Sequence, residues 1–369
     1  MERGKPMSHA TRKNIGVIGL GIIGRGVAGN LRRKGFPVYV WNRSPRSIPN
    51  FVGSPGELAE ICNHIQVFVS DDEALLQTAR QLGEKLTPRH LVLAHSTVAP
   101  DSMRAAAEIV ERRKARFVEA PFTGSKTAAE KGELVYYACG NDAALREARP
   151  ILEASSKEII EIGPTIGQAS AIKIATNMIT AASVQAAAEA LALVQALGLP
   201  LEKFIEAMRS NASNSTTLAM KVPKMLSRDF EPHFSVKHML KDMQIANQIG
   251  LSNYLDLGVT AAARDQLLEQ MHWGHGDDDY SVIARKYLQE PAPVTSEELQ
   301  LDEQEEQAGA GESIASSTEG ETQPQQDATP EVSPVPLVGV ASGEAANETT
   351  RLRRGFLKQL FSRLSSGEK

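Results

Sequence analysis

One stretch of the sequence predicts a long helix that other parts of the protein must cover. Between Ala169 and Leu201 the charged residues are Lys173 and Glu189 alone, and most of the others are Ala, Ile, Leu, Val or Met. A helix that is apolar on nearly every side is normally buried by other elements. Up to Leu197 it would extend about 43 Å at 1.5 Å per residue, enough to cross a small domain.

Lys173 is the exception within this stretch. An ammonium group is costly to bury unless another group pairs with it or uses it. Asn177 lies four residues further along and therefore on the same face of the helix. The stretch by itself leaves two interpretations open: Lys173 extends to water from the end of the helix, or it works with Asn177 in a site. The polar residues Gln185 and Gln195 argue against a membrane span.

The pattern strand, G-x-G-x-x-G, helix lies near the start of the chain. Residues 14–18, NIGVI, predict a buried strand, and RGVAGNLRRKG after the glycines has the spacing of a helix. In the dinucleotide-binding arrangement the glycines permit a tight turn, close approach of a pyrophosphate, and packing of helix on strand. The free N–H groups of the helix then bind the phosphates. The predicted cofactor loop comprises Gly19, Leu20, Gly21, Ile22, Ile23 and Gly24.

The end of the second predicted strand, 37–41, favours NADP(H) over NAD(H). NAD-binding proteins place an acidic residue near this point to hold the ribose 2′-hydroxyl. This chain has Asn42, Arg43 and Ser44 instead. Arg43 can pair with a 2′-phosphate, and Ser44 can donate a hydrogen bond to it. NAD(H) as cofactor and a solvated surface role for Arg43 are the alternatives.

Predicted strands and helices alternate up to Gly163. This alternation is typical of an α/β Rossmann domain with a doubly wound, mostly parallel sheet. Ligands bind such sheets at the carboxyl ends of the strands. The residues just past those ends are therefore candidates by position: Ser70, Ser96, Thr97 and the loop 121–126.

After Gly163 only helical patterns follow, so we expect an all-α second domain built on the long interdomain helix. From residue 289 the chain is rich in Glu, Gln, Ser, Thr and Pro, and it cannot bury enough apolar surface to offset the entropy of ordering. The predicted organisation is a flexible N-terminus (1–12), an NADP-binding Rossmann domain (13–164), a helical C-terminal domain (165–288), a disordered acidic linker (289–350) and a basic amphipathic helix (351–369).

Charge is distributed unevenly along the chain. The net charge is −5, but residues 289–350 contain 14 acidic and no basic residues, and residues 351–369 contain six basic and one acidic, which leaves +4 for residues 1–288. The acidic character therefore belongs to the tail. The amphipathic segment suits an anionic membrane surface or a protein partner, and the alternative is a solvated tail.

Two cysteines and an N-terminus without an apolar region predict a cytoplasmic protein, peripheral at a membrane if the tail binds one.

Three other classes of function find little support in the sequence. His272 and His275 precede Asp277, but no second cluster of ligands supports them, so we predict no metal. The G-x-S-x-G motif of serine hydrolases is absent from the sequence. Nucleic-acid binding would need a basic patch with aromatic residues, and aromatic residues are 5% of the chain.

Eight motifs occur in an order that is familiar from one enzyme family: GLGIIGRGVAGNL, NRS, VSDDEAL, HSTVAP, FVEAPFTGSKTAAEKGEL, GQASAIKIATNM, FSVKHMLKDMQIA and GHGDDDYSVI. Over residues 14–288 the chain resembles the β-hydroxyacid dehydrogenases (6-phosphogluconate dehydrogenase-like), and within them the glyoxylate/succinic semialdehyde reductases. The resemblance implies a homodimer or homotetramer. One departure is Phe122, whose bulk we expect to narrow the substrate pocket.

The resemblance also implies roles for individual residues. Lys173 matches the catalytic lysine of the family, and Asn177 matches the asparagine that assists it. Ser96, Gly124 and Ser125 match positions that hold the substrate carboxylate. The residues that match cofactor contacts are Val69, Ser70, Thr97, Lys241 and the 2′-phosphate segment Asn42, Arg43 and Ser44.

We therefore expect an NADPH-dependent reductase of short aldehyde acids, with Lys173 as general acid. One alternative is a 3-hydroxyisobutyrate-type dehydrogenase that runs in the oxidative direction. The other is a non-catalytic, cofactor-binding scaffold that is tethered by its tail.

Overall fold

The computed structural model describes residues 13–288, which form an α/β domain followed by helices. The predictions made for residues 1–12, 289–350 and 351–369 lie outside the described residues.

Eight strands form the sheet of the α/β domain: β1 (Ile15–Ile18), β2 (Val38–Trp41), β3 (His64–Val67), β4 (Leu91–Ala94), β5 (Arg116–Glu119), β6 (Phe122–Thr123), β7 (Leu134–Cys139) and β8 (Ser156–Gly163). The first five are parallel in the order β2-β1-β3-β4-β5. β7 runs antiparallel to β5, and β8 lies parallel to β7. The predicted doubly wound, mostly parallel sheet is confirmed.

Helices cover both faces of this sheet: α1 (Ile22–Arg33), α2 (Pro55–Ile61), α3 (Asp72–Gly83), α4 (Pro100–Glu111), α5 (Lys126–Lys131) and α6 (Asp142–Leu152). Every residue of β1, β3 and β4 is buried, as expected where helices lie on both faces of a parallel sheet. Side chains start several helices: Ser54, Asp71 and Asn141 accept hydrogen bonds from N–H groups in the first turns of α2, α3 and α6.

Two short elements of this domain are missing from the sequence prediction. β6 is two residues long and pairs with β7, so it is too short to show an alternating pattern. α5 has six residues, begins at the cap Ser125 and ends at Gly132. Both lie in the loop that follows β5, and they hold the predicted substrate loop against the sheet.

The helical domain contains α7 (Gln168–Ala196), α8 (Leu201–Arg209), α9 (Thr216–Ser227), α10 (Val236–Ser252), α11 (Gly258–His272) and a 3-10 helix (Tyr280–Lys286). The all-α second domain is confirmed. α9 contains Pro223, a residue type that normally interrupts a helix. α7 packs against α9, α10, α11 and the 3-10 helix, and its N-terminal part contacts β7 and β8.

α7 is less enclosed than its composition predicted. Ile179 is 70% exposed and Leu193 is 62% exposed, so one side of the helix is open in the single chain. Among residues 13–288, α7 is the one helix that could cross a membrane by length and composition. Its packing against the sheet and six helical elements, which include α4 and α8, is that of a core helix with one uncovered face.

A buried ion pair ties the end of the described chain to α9. Lys221 donates to both carboxylate oxygens of Asp279 at 2.7 Å, and their side chains are 4% and 0% exposed. The same carboxylate accepts the backbone N–H groups of His233, Phe234 and Ser281. This one carboxylate therefore joins three elements, which are α9, the segment before α10 and the 3-10 helix.

We predict that Lys221→Met lowers the free energy of unfolding by about 3–5 kcal/mol, since removal of one partner leaves a buried charge without compensation. The urea midpoint of unfolding, measured by circular dichroism, gives the change. Lys203→Met is the matched control, because Lys203 pairs with Glu206 on the surface of α8. Equal midpoints for the two variants would contradict the structural role of the pair.

Candidate active site

The glycine loop between β1 and α1 leaves room for a ligand. Gly19 has φ 89°, and a Cβ there would lie 1.8 Å from the carbonyl oxygen of Phe68. A Cβ at Gly24 would lie 1.9 Å from the carbonyl oxygen of Gly19, whereas one at Gly21 would meet nothing within 4 Å. Close packing thus requires glycine at positions 19 and 24, whereas Gly21 faces open space at the start of α1. This loop fits the pyrophosphate of a dinucleotide.

The 42–44 segment lies beside this loop. Asn42 accepts a hydrogen bond from the N–H of Leu20 at 2.9 Å and donates one to the carbonyl of Ser44 at 2.9 Å. Asn42 therefore joins the end of β2 to the glycine loop, while Arg43 and Ser44 are exposed. Their side chains are free to contact a group bound beyond the end of β2.

Hydrogen bonds tie the carboxyl ends of neighbouring strands together. After β3, the N–H of Val69 donates to Oγ of Ser96 at 2.9 Å, so the hydroxyl hydrogen of Ser96 is available to a ligand. Nδ1 of His95 and the carbonyl oxygen of Ala120 are 2.8 Å apart, which connects β4 to the start of the 121–125 loop. Burial lowers the pKa of His95 to about 4, so this imidazole is neutral at ordinary pH.

Phe122 lies on the sheet side of the predicted substrate loop. Its ring is 6.2 Å from that of Phe68 and 6.4 Å from that of Tyr136, within an aromatic cluster that also contains His95. The side chain thus anchors the loop to the sheet. Of the predicted carboxylate-binding residues, Ser125 also caps α5 by accepting the N–H of Ala128 at 3.4 Å.

Lys173 and Asn177 interact on α7. Nζ of Lys173 donates to Oδ1 of Asn177 at 2.9 Å, and Nδ2 of Asn177 donates to Oδ2 of Asp242 at 2.6 Å. Asp242 lies on α10 and is 1% exposed. Lys173 is half-buried, and it is the outer member of a hydrogen-bond network that ends on a buried carboxylate.

Lys241 extends this network to the α/β domain. Its Nζ donates to Oδ1 of Asp242 at 2.7 Å and to the carbonyl oxygen of Thr97. The chain Lys173–Asn177–Asp242–Lys241 thus connects the long helix to the end of β4. Three hydrogen bonds thus link the predicted catalytic pair to the backbone of Thr97, which is also a candidate from the sequence.

Sequence reasoning missed Asp242. The residue lies on the buried stripe of α10 beside Met239, Met243 and Ala246. An acid at such a position is rarely buried without a partner, and this was the one signal that could have identified it.

The environment of Lys173 changes its protonation. Burial lowers the pKa of Lys173 to about 8, against the opposing negative charge of Asp242 and with a further lowering by the positive charge of Lys241. A lysine with such a pKa can donate a proton at neutral pH and can accept one at moderately alkaline pH.

Between residues 13 and 288 no group of three His, Cys, Asp or Glu side chains could hold a metal ion.

Two family profiles match the chain on either side of the junction. The NAD-binding domain of 6-phosphogluconate dehydrogenase matches residues 14–163. The NAD-binding domain of NADP-dependent 3-hydroxyisobutyrate dehydrogenase matches residues 167–287. The two matches meet at the start of α7, where the strands give way to helices.

Individual relatives agree with these matches. Glyoxylate/succinic semialdehyde reductase 1 of Arabidopsis thaliana is 30% identical over 279 residues, which are 73% of this chain and 96% of the relative. The cytokine-like nuclear factor N-PAC of Danio rerio is 28% identical, and the match covers 75% of this chain and 62% of that protein. The structure of Mycobacterium tuberculosis 3-hydroxyisobutyrate dehydrogenase with L-serine shares the fold, with a TM-score of 0.68, 23% identity and coverage of 75% and 99%.

A glycine loop suited to a dinucleotide, two matching family profiles and a relative with 30% identity lead to one assignment. The chain belongs to the β-hydroxyacid dehydrogenase family and is an NAD(P)-dependent oxidoreductase of that family.

Proposed function

We propose that this protein is an NADPH-dependent reductase of short aldehyde acids of the glyoxylate or succinic semialdehyde type. The observation that carries the proposal is the network Lys173–Asn177–Asp242–Lys241. It places the half-buried ammonium group of Lys173 in a network that reaches the backbone beyond β4, at the edge where ligands of such sheets bind. The named activity of the Arabidopsis relative supports the choice of substrate class.

In the proposed reaction the substrate is held at both ends. Ser96 can donate its hydroxyl hydrogen to the substrate carboxylate, and the loop at Gly124 and Ser125 lies at the adjacent strand end. Lys173 donates a hydrogen bond to the carbonyl oxygen and transfers a proton as negative charge develops there. A bound nicotinamide supplies the hydride. Asn177 accepts one N–H of Lys173, which orients the remaining N–H groups and fixes the direction of proton transfer.

We infer that the enzyme prefers NADP(H). Arg43 and Ser44 are exposed at the end of β2, where Asn42 holds the segment against the glycine loop. An exposed guanidinium at this point suits a 2′-phosphate. The matched C-terminal family profile, which is that of an NADP-dependent enzyme, supports the same choice.

We also propose that the protein is a homodimer or homotetramer. The support comes from the open side of the helical domain, where large apolar residues are exposed. They include Ile179, Leu193, Leu197, Leu251, Leu255 and Val259, each more than half exposed. Apolar surface of this kind on a folded chain is typical of an interface with another copy.

A cytoplasmic location, with the 351–369 segment as a contact to a membrane surface or protein partner, is proposed from sequence alone.

The second candidate is oxidation of a hydroxy acid of the 3-hydroxyisobutyrate type. The pKa of Lys173, lowered to about 8, favours it at alkaline pH, because the neutral amine can then accept the hydroxyl proton. The scaffold hypothesis has weaker support. A scaffold does not need a lysine, an asparagine and an aspartate arranged as one network, although N-PAC, whose name describes a nuclear factor, is a relative.

We predict that Lys173→Ala lowers kcat for glyoxylate and succinic semialdehyde by about 10²–10⁴-fold, the usual contribution of general acid catalysis. The affinity for NADPH, measured by fluorescence titration, should stay close to that of the unmodified protein. Lys203→Ala on the surface of α8 is the control. Near-normal turnover by Lys173→Ala would exclude Lys173 as the acid.

We predict that Asp242→Asn shifts the pH profile of reduction. Reduction needs protonated Lys173, so kcat is high below the pKa of Lys173 and declines as pH rises through it. The charge of Asp242 raises that pKa, and its removal should move the decline to lower pH. The profile of kcat between pH 6 and 10 measures this, with Asp265→Asn at an exposed ion pair as control. A profile that stays in place or moves upward would contradict the network.

We predict that Arg43→Ala raises the KM for NADPH roughly 10- to 100-fold, the equivalent of one hydrogen bond to a charged group. The KM for NADH should change little, because NADH lacks the 2′-phosphate. Arg46→Ala, three residues further along and also exposed, is the matched control. An equal increase for both cofactors would refute the proposed role of Arg43 in phosphate recognition.

A further inference from the structure

Glu119 is a buried carboxylate that the proposed reaction does not use. It is the last residue of β5 and is 0% exposed. Its Oε2 accepts the backbone N–H of Gly167 at 2.6 Å, and its Oε1 accepts the backbone N–H of Ser170 at 2.5 Å. Both donors belong to the first turn of α7. A single side chain of the α/β domain therefore holds the start of the helix that carries Lys173.

The start of α7 needs such an acceptor. The first N–H groups of a helix have no partner within the helix, and a side chain at the N-cap normally accepts one of them. The residue at this position is Gly167, which has no side chain and adopts φ 98°. Glu119 on β5 supplies the side-chain acceptor that Gly167 lacks. Burial raises the pKa of Glu119, while the N–H groups of the helix start oppose this rise, as expected for a carboxylate at the positive end of a helix dipole.

Packing leaves the start of α7 little freedom to move. A Cβ at Gly167 would lie 2.5 Å from Nη1 of Arg104 and 3.2 Å from the carbonyl oxygen of Pro100. The backbone of Gly167 is therefore pressed against the first turns of α4. Close packing against α4 and the two hydrogen bonds to Glu119 therefore restrict the position of the first turn of α7.

The same strand end also leads into the substrate loop. Glu119 is followed directly by Ala120, which accepts a hydrogen bond at the base of the loop, and then by residues 121–125. On the helix, Lys173 lies three residues after Ser170, on the same side of α7. Glu119 thus connects the loop expected to hold the substrate carboxylate with the helix start that precedes the lysine expected to protonate its carbonyl.

We propose that Glu119 is a positioning residue. It fixes α7 so that Nζ of Lys173 reaches the carbonyl oxygen of a substrate whose carboxylate is held by Ser96 and the 121–125 loop. This inference rests on the proposed function of Lys173. Displacement of a catalytic group by about 1 Å can reduce turnover about 10²-fold, so an anchor at this place affects catalysis as well as folding.

The test is Glu119→Gln in the full chain. The amide has nearly the same shape, but one of its two polar atoms is a donor that would face a backbone N–H. We expect kcat for glyoxylate with NADPH to fall about 10- to 100-fold, with KM for glyoxylate and the Kd for NADPH changed less than about twofold. Hydrogen exchange of the amides of 167–173 should become faster, while that of β1, β3 and β4 should not. Glu158→Gln, an exposed glutamate on β8, is the matched control.

A double variant separates this inference from the proposed function. If Glu119 acts through Lys173, Glu119→Gln causes no further loss of kcat in the Lys173→Ala background. An equal loss in both backgrounds, or faster exchange at 167–173 with normal kcat, would overturn the inference. Near-normal activity of Lys173→Ala alone would instead refute the proposed function.

Glu119→Asp keeps the test decisive if Glu119→Gln does not fold. The aspartate keeps the charge but is one methylene shorter and cannot reach both N–H groups, so kcat should fall by a smaller factor, again without a change in the Kd for NADPH. Normal kcat with normal exchange at 167–173 would overturn the inference.

Discussion

The candidate active site depends on the buried carboxylate of Asp242. This group accepts hydrogen bonds from Asn177 on α7 and from Lys241 on α10, and Lys241 also contacts the carbonyl oxygen of Thr97 beyond β4. Two helices of the second domain therefore meet at this carboxylate, and Lys241 connects it to the α/β domain. Without it, Asn177 and Lys241 would each lose a buried partner, and nothing would fix the amide of Asn177 in the orientation that receives Lys173.

The same carboxylate sets the balance of charge at Lys173. Burial alone disfavours the ammonium form, and the negative charge of Asp242 partly restores it. The outcome is a lysine with a pKa near 8, close enough to neutral pH to exchange a proton in either direction. In the proposed function, such a lysine would act as the acid in the reduction of an aldehyde acid and as the base in the oxidation of a hydroxy acid.

Local patterns predicted the parts of the site that depend on neighbours in the sequence. The glycine loop was recognisable because strand, glycines and helix are contiguous. The apolar stretch singled out Lys173 but left its role open, and the family resemblance implied that role. Asp242 and Glu119 were not recognised, since each bonds to an element distant in the sequence. Asp242 on α10 accepts a hydrogen bond from Asn177 on α7, and Glu119 on β5 accepts one from a helix start 48 residues away. The exposed side of α7 was also unexpected, because composition shows that a surface is apolar but not whether the same chain covers it.

The most direct measurement is the titration of Lys173 itself. With ¹³C at Cε of the lysines, nuclear magnetic resonance of the full chain follows each ammonium group through pH, and Lys173→Arg assigns the signal. We predict an apparent pKa of about 8 for Lys173. A value near 10.4, which is about that of a solvated lysine, would contradict the buried network on which the site depends.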